Sequence, residues 1–237
     1  MSIFWISVGM GLAVSAILAL SAVAFTLEYA VSRVVNLAHG EVLTIGAYAA
    51  YVTENTFHQS IYVCAVVATI AGSLTGIGMN FFLIERFRNQ KSLSTLIATL
   101  GASLILQNLL LIGFGGASVS YSFAQGNLLH VGPFLWTTLT IEVMVSAVVV
   151  AALIYVLLQR TRLGKALRAV SQNRDLAQVS GIPARRVVMQ TWAVAGAVSG
   201  FAGSAKRTTT SWRASGSCSR ARPPRVRCRG RITPTTP

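Results

Sequence analysis

All eleven Lys and Arg residues among the first 203 fall into three gaps between apolar runs, and those gaps alternate. The first holds Arg33, and the second holds Arg86, Arg88 and Lys91. The third holds Arg160, Arg162, Lys165, Arg168, Arg174, Arg185 and Arg186. The intervening gaps, 53–60 and 115–138, hold none. Basic residues of a membrane protein are retained on the cytoplasmic side. The alternation therefore predicts both a span count and an orientation for an all-α, polytopic transmembrane helix bundle.

Composition agrees. Only 11% of the 237 residues are charged and 53% are hydrophobic, against about 25% charged in a soluble domain. The runs 3–27, 61–84, 93–114 and 139–158 each supply the roughly 20 apolar residues that a helix needs to cross the hydrocarbon core. The first lacks a basic leader and is too long for a signal-peptide core, so it reads as a retained span. Including 34–52 and 187–203, the expectation is six membrane segments with the amino terminus outside. A re-entrant 34–52 would instead put that terminus inside.

Catalytic chemistry is not assembled by these residues. His39, His58 and His130 are scattered, and no Ser/His/Asp set or paired carboxylates emerge. The glycines at 113–116 lack the lysine of a phosphate loop. No metal-ligand spacing occurs; Cys64 sits in an apolar run as a small hydrophobe. The expectation is a chain that is not an enzyme by itself.

The segment 34–52 is interrupted by Asn36, His39, Gly40 and Glu41, which leaves an apolar part too short to cross alone. Polar, Gly-broken backbone at membrane depth survives only against protein or a water-filled cavity. Two readings stay open: a broken helix beside a transport path, or an ordinary interfacial turn. Glu28, near the end of the first run, must face the interior or the interface. Gly72, Gly76, Gly78, Gly196 and Gly200 read as close helix packing. Gln107 and Asn108 line a pathway or, more commonly, bond a neighbouring helix.

The third basic gap, 159–186, is too long for a turn. Leu163, Leu167, Val170 and Ala177 recur near helical spacing, with Lys165, Arg168, Gln172, Arg174 and Asp175 on other faces. Gly181 and Pro183 supply a stop. Such an amphipathic helix lies on anionic lipid or docks into a protein. Asn173 and Asp175 interrupt its basic face and favour the protein.

Three stretches resemble the permease subunits of ABC importers for branched-chain amino acids, of the LivH type. The first, Val35-Asn-Leu-Ala-His-Gly-Glu-Val-Leu-Thr-Ile-Gly-Ala-Tyr48, looks like the family's N-[FL]-A-H-G-E and G-[AS]-Y blocks. The second is Glu85-Arg86 followed by Ile97-Ala-Thr-Leu-Gly-Ala-Ser-Leu-Ile-Leu-Gln-Asn108. The third runs from Thr161 to Ile182 and on to Arg186-Val187. The resemblance implies a permease domain over 1–203 with a cytoplasmic coupling loop at 159–186. It implies that Asn36, His39, Gly40, Glu41, Gln107 and Asn108 lie near the pathway. Leu163, Gly164, Leu167, Arg168, Val170, Asn173, Asp175, Ala177 and Gly181 would engage an ATPase. The implied partners are a second, LivM-like permease, two ATPase subunits and an external solute-binding protein in the bacterial inner membrane. No cofactor is implied on this chain, since ATP is used by the partner subunits.

After Gly203 the pattern changes. Nine basic residues and no acid occupy 204–237, with Arg, Pro, Ser and Thr prominent. That change reads as a frameshift or damaged gene, the alternative being a genuine disordered basic tail on lipid or RNA. The competing functions are a stand-alone secondary transporter or channel, a membrane anchor for a nucleic-acid- or lipid-binding tail, and a non-functional truncated product. Polar residues within the spans are sparse for the first, and the tail's single aromatic, Trp212, provides no stacking platform for the second. No nucleic-acid partner is expected.

Overall fold

The structure is a computed structural model that describes residues 2–57, 61–84, 86, 92–114, 128–131 and 134–218. Its helices are α1 (Ser2–Ser32), α2 (His39–Phe57), α3 (Ile61–Met79) and α4 (Ser92–Phe114), then α5 (Thr138–Arg160), α6 (Arg162–Gln172), α7 (Arg174–Val179) and α8 (Ala184–Cys218). A five-residue π-helical turn, Asn80–Ile84, extends α3. The bundle is helical, as its apolar runs require, since helices satisfy their backbone groups internally in lipid.

One departure is a short antiparallel hairpin within the long uncharged gap, β1 (Leu128–Val131) and β2 (Phe134–Thr137). Leu128 pairs with Thr137 and Val131 with Phe134. β2 packs on α1 and leads directly into α5.

Four of the six expected spans are long and apolar enough to cross a membrane among the described residues: Gly11–Ser32, Tyr62–Leu83, Leu93–Gly113 and Ile141–Arg160. The other two, α2 and α8, fall short of that hydropathy for a reason visible in the packing. Helix α8 is central, packed against α1, α2 and α3, while α2 lies against both α3 and α8. Helices enclosed by other helices need no continuous lipid-facing surface. Conversely, Leu93–Gly113 is only 6% buried, which makes α4 the peripheral helix.

Glycines set the central contact. Gly46 of α2, Gly72 of α3 and Gly200 of α8 converge at one level, where a Cβ on Gly46 would lie 2.5 Å from the Cα of Gly200. A Cβ on Gly76 would lie 2.5 Å from the Trp192 carbonyl oxygen. These backbones touch only because side chains are absent. Gly78 meets nothing within 4 Å, so the expected packing role does not extend to it.

The alternating basic gaps are drawn together. Arg33, at the end of α1, donates through Nη2 to the Ser171 carbonyl of α6. The π turn closing α3 shares a cavity wall with Arg185 and Arg186 at the start of α8. Thus the ends of α1 and α3 meet the third basic segment.

The boundary at 203 shifts. Helix α8 is described as far as Cys218, beyond the expected boundary at 203; residues 219–237 lie outside the described ones. Ala202 and Ala205 are buried against the bundle across the supposed boundary. No proline occurs between Pro183 and Pro223, and an established helix propagates by adding one hydrogen bond per residue.

Candidate functional site

The polar break is assembled where α1 hands over to α2. Helix α1 stops at Ser32, and Arg33 takes a left-handed conformation (φ 56°), which costs a non-glycine residue about 1–2 kcal/mol. The chain then turns through 34–38 and re-enters helix at His39, so the break is the start of α2 rather than an interruption within a span.

Glu28 is at its centre, 1% exposed. The Asn36 side-chain amide donates to Glu28 Oε2 at 2.9 Å, and His39 Nδ1 lies 3.1 Å from Glu28 Oε1. A carboxylate only accepts, so Nδ1 carries the proton and donates. Nε2 is then free to accept from Ser21 Oγ, 3.3 Å away. Asn36 Oδ1 accepts from the Ala38 N–H at 3.1 Å. Phe25 sets its ring edge-on to the imidazole at a centroid distance of 5.4 Å. Every strong acceptor of the buried carboxylate is thereby engaged, which makes its burial tolerable. The network fixes the angle between α1 and α2.

Helix α4 touches the same turn. The Leu37 N–H points at Thr99 Oγ1 at 3.5 Å, and Ser103 Oγ donates to Glu41 Oε1 at 3.4 Å. Asn36 and His39 are buried and Glu41 is half-buried, whereas Gly40 is exposed and a side chain there would meet nothing. Gln107 and Asn108 are not brought into this cluster. Both are exposed, and Asn108 bonds the Leu104 carbonyl of its own helix. The sequence reading passed over Ser21, Thr99 and Ser103. A signal was present in Thr99 and Ser103, four apart on one helical face.

At the basic end, the expected single helix over 163–181 is two. Thr161 caps α6, accepting from the Gly164 N–H at 3.3 Å. Asn173 ends α6 and caps α7, its Oδ1 accepting from the N–H groups of Asp175 and Leu176, both at 3.1 Å. An Asn side chain competes with the helical ladder in this way, which is why the helix breaks there. Gly181, at φ +81°, ends α7. Its N–H bonds the Gln178 carbonyl and the Ile182 N–H bonds that of Ala177, both at 3.0 Å, the pattern of a glycine-terminated helix.

The apolar stripe of α6 faces inward. Leu167 and Val170 are 5% and 4% exposed and belong to the bundle's core, as does Ala177 of α7. In this structure they pack into the chain's own bundle, whereas the resemblance implies that they engage an ATPase. Gly164 is buried because a Cβ would overlap the Leu158 carbonyl of α5. Leu163 is half-buried, and exposed Arg168 donates to Gln159 Oε1 at 2.7 Å. The outward apolar residues are instead Leu176, 66% exposed, and Val179, 90% exposed, beside exposed Asp175 and Gln178.

No group of three or more His, Cys, Asp or Glu residues that could hold a metal occurs among the described residues. Long apolar helices around two enclosed ones, a buried polar junction and an amphipathic helix pair seated on the basic end define a membrane permease subunit. The chain belongs to the family of permease components of branched-chain amino acid transport systems, whose model matches residues 7–212. It is 27% identical over 206 residues to the high-affinity branched-chain amino acid transport system permease protein LivH of Escherichia coli K12, covering 81% of this chain and 67% of that one. The probable LivH of Methanocaldococcus jannaschii is 30% identical over 205 residues, covering 80% and 62%. The corresponding BraD of Pseudomonas aeruginosa is 24% identical over 205 residues, covering 81% and 67%. The chain thus spans about two thirds of the length of these relatives. No solved structure matches it.

Proposed function

We propose that the chain is the membrane-spanning subunit of an ABC importer that moves branched-chain amino acids, or similar small amino acids and amides, across a bacterial inner membrane. ATP is hydrolysed by separate ATPase subunits, solute arrives from an external binding protein, and a second permease completes the pathway. The observation that carries this reading is the physical linkage between α7 and the polar junction. Helix α7 offers Leu176 and Val179 outward, while α6 beside it sinks Leu167 and Val170 into the core. Ser171 of α6 is held by Arg33, which ends α1, and α1 holds the start of α2 through Glu28. A push on α7 by a closing ATPase would reach α1 and α2 through bonded groups rather than through lipid.

The test separates outward from inward residues. Truncating or charging an interface anchor costs about 1–4 kcal/mol, enough to weaken assembly tenfold or more. In the assembled transporter, Leu176→Asp with Val179→Asp is expected to uncouple ATP hydrolysis from uptake while leaving inserted protein at normal level. Leu167→Asp is expected to lower the amount of folded protein instead. If the surface pair couples normally, α7 is not the docking element. A lipid-surface role would make Arg168→Glu and Arg174→Glu the damaging changes.

Orientation is tested by labelling. Single cysteines at Ser60 and Asn127 should react with an impermeant reagent from outside, and one at Asn89 should not. Reaction of Asn89→Cys from outside would reverse the assigned topology. Reading the encoding DNA in all frames past codon 203 tests whether the Arg-rich end is an out-of-frame product.

A further inference from the structure

We infer that the groove between the π-helical end of α3 and the start of α8 is a binding site for the phosphate headgroup of an anionic phospholipid, with acyl chains running over α3. A cavity of about 310 Å³ opens here, lined by Asn80, Phe81, Arg185, Arg186 and Met189. Arg185 and Arg186 are exposed at its rim, and Asn80 is buried in its wall.

The two chemistries of the groove are ordered along the membrane normal. Phe81 and Phe82 lie within the apolar span ending at Leu83, and both rings are exposed, 57% and 72%. Their edge-to-face contact at 5.4 Å leaves them presented together on the outside of the bundle. The arginines open α8 immediately beyond the apolar zone, in the segment whose basic charge marks the cytoplasmic side. Met189, one turn further along α8 and 44% exposed, continues the apolar wall. A π turn winds wider than an α turn and so advances the side chains that follow; here Asn80 turns inward and Phe81 and Phe82 outward.

A guanidinium presents paired N–H donors that match two phosphate oxygens. Basic pockets between spans on the cytoplasmic side suit acidic lipid headgroups in this way. Free phosphate would use the arginines and gain nothing from the aromatic wall. An acidic protein surface would leave that wall in lipid. A phosphodiester carrying apolar chains uses both.

The experiment uses the whole purified chain, delipidated in detergent and followed by native mass spectrometry during titration with phosphatidylglycerol. A saturable site is expected that phosphatidylcholine does not fill. Arg185→Gln with Arg186→Gln should weaken it roughly tenfold to thirtyfold, at about fivefold per surface arginine. Arg162→Gln with Lys165→Gln, exposed cations on α6 away from the groove, should leave it unchanged. Millimolar inorganic phosphate should not displace the lipid. If the double arginine variant fails to fold, Met189→Glu places a repelling charge in the groove and carries the same expectation. Equal binding of phosphatidylcholine, equal loss in both cation variants, or displacement by free phosphate would each overturn the assignment.

Discussion

Replacing Gly72 or Gly200 with leucine is expected to abolish folded, membrane-inserted protein. A Cβ on Gly72 would overlap the Gly196 carbonyl oxygen and lie 2.7 Å from the Gly200 Cα. A Cβ on Gly200 would overlap the Ala68 carbonyl and lie 3.0 Å from the Gly72 Cα. The obstructing atoms are all backbone, so no rotamer change relieves them. Overpacking commonly costs about 1–3 kcal/mol where side chains can yield; here whole helices would have to separate. Because α8 packs against α1, α2 and α3 together, its displacement opens the bundle rather than one seam. Gly78 and Gly101, around which nothing lies within 4 Å, are the controls. Monodisperse protein recovered by size exclusion should fall to near background for Gly72→Leu and Gly200→Leu, and stay normal for Gly78→Leu. Normal recovery of Gly200→Leu would refute the packing.

Glu28→Gln should lower the melting temperature and abolish uptake in the assembled transporter, although it differs from the native residue by one group. Two donors, from Asn36 and His39, converge on the two carboxylate oxygens. A glutamine offers one acceptor oxygen and turns a second pair of hydrogens toward a donor. One buried N–H is then left unpaired, at about 1–3 kcal/mol. Removing a partner entirely, as in His39→Ala, leaves Glu28 Oε1 without its donor, at about 1–3 kcal/mol or more for a charged acceptor. Loss of uptake at His39, but not at His58 or His130, would separate this junction from general effects of histidine removal. If Glu28→Gln transports and melts like the parent chain, the junction is not held by these bonds.

What was legible in the residues follows from solvent. The bilayer demands long apolar runs and retains basic charge on one side, both local properties of sequence, so 61–84, 93–114 and 139–158 correspond closely to α3 with its π turn, α4 and α5. The Gly181 stop was legible for the same reason: a left-handed cap is a one-residue matter. Four consequences required the packed structure. Periodicity told that Leu167 and Val170 share a face, but not which body covers it; the bundle itself does, leaving Leu176 and Val179 outward. The hydropathy of α2 and α8 is low because other helices, not lipid, surround them. Helix α8 runs past the expected boundary at 203 to Cys218, because a helix already nucleated continues through polar sequence that would not start one. Glu28 was recognisable as an expensive acid, yet Asn36 and His39 become its partners only when the left-handed turn at Arg33 folds residues eight and eleven positions away back onto it. Sequence by itself determined that this chain is a helical membrane bundle, because partition between lipid and water acts residue by residue. Which polar groups meet, and which apolar faces remain open, was decided by tertiary contacts, because those depend on helices that are distant in the chain.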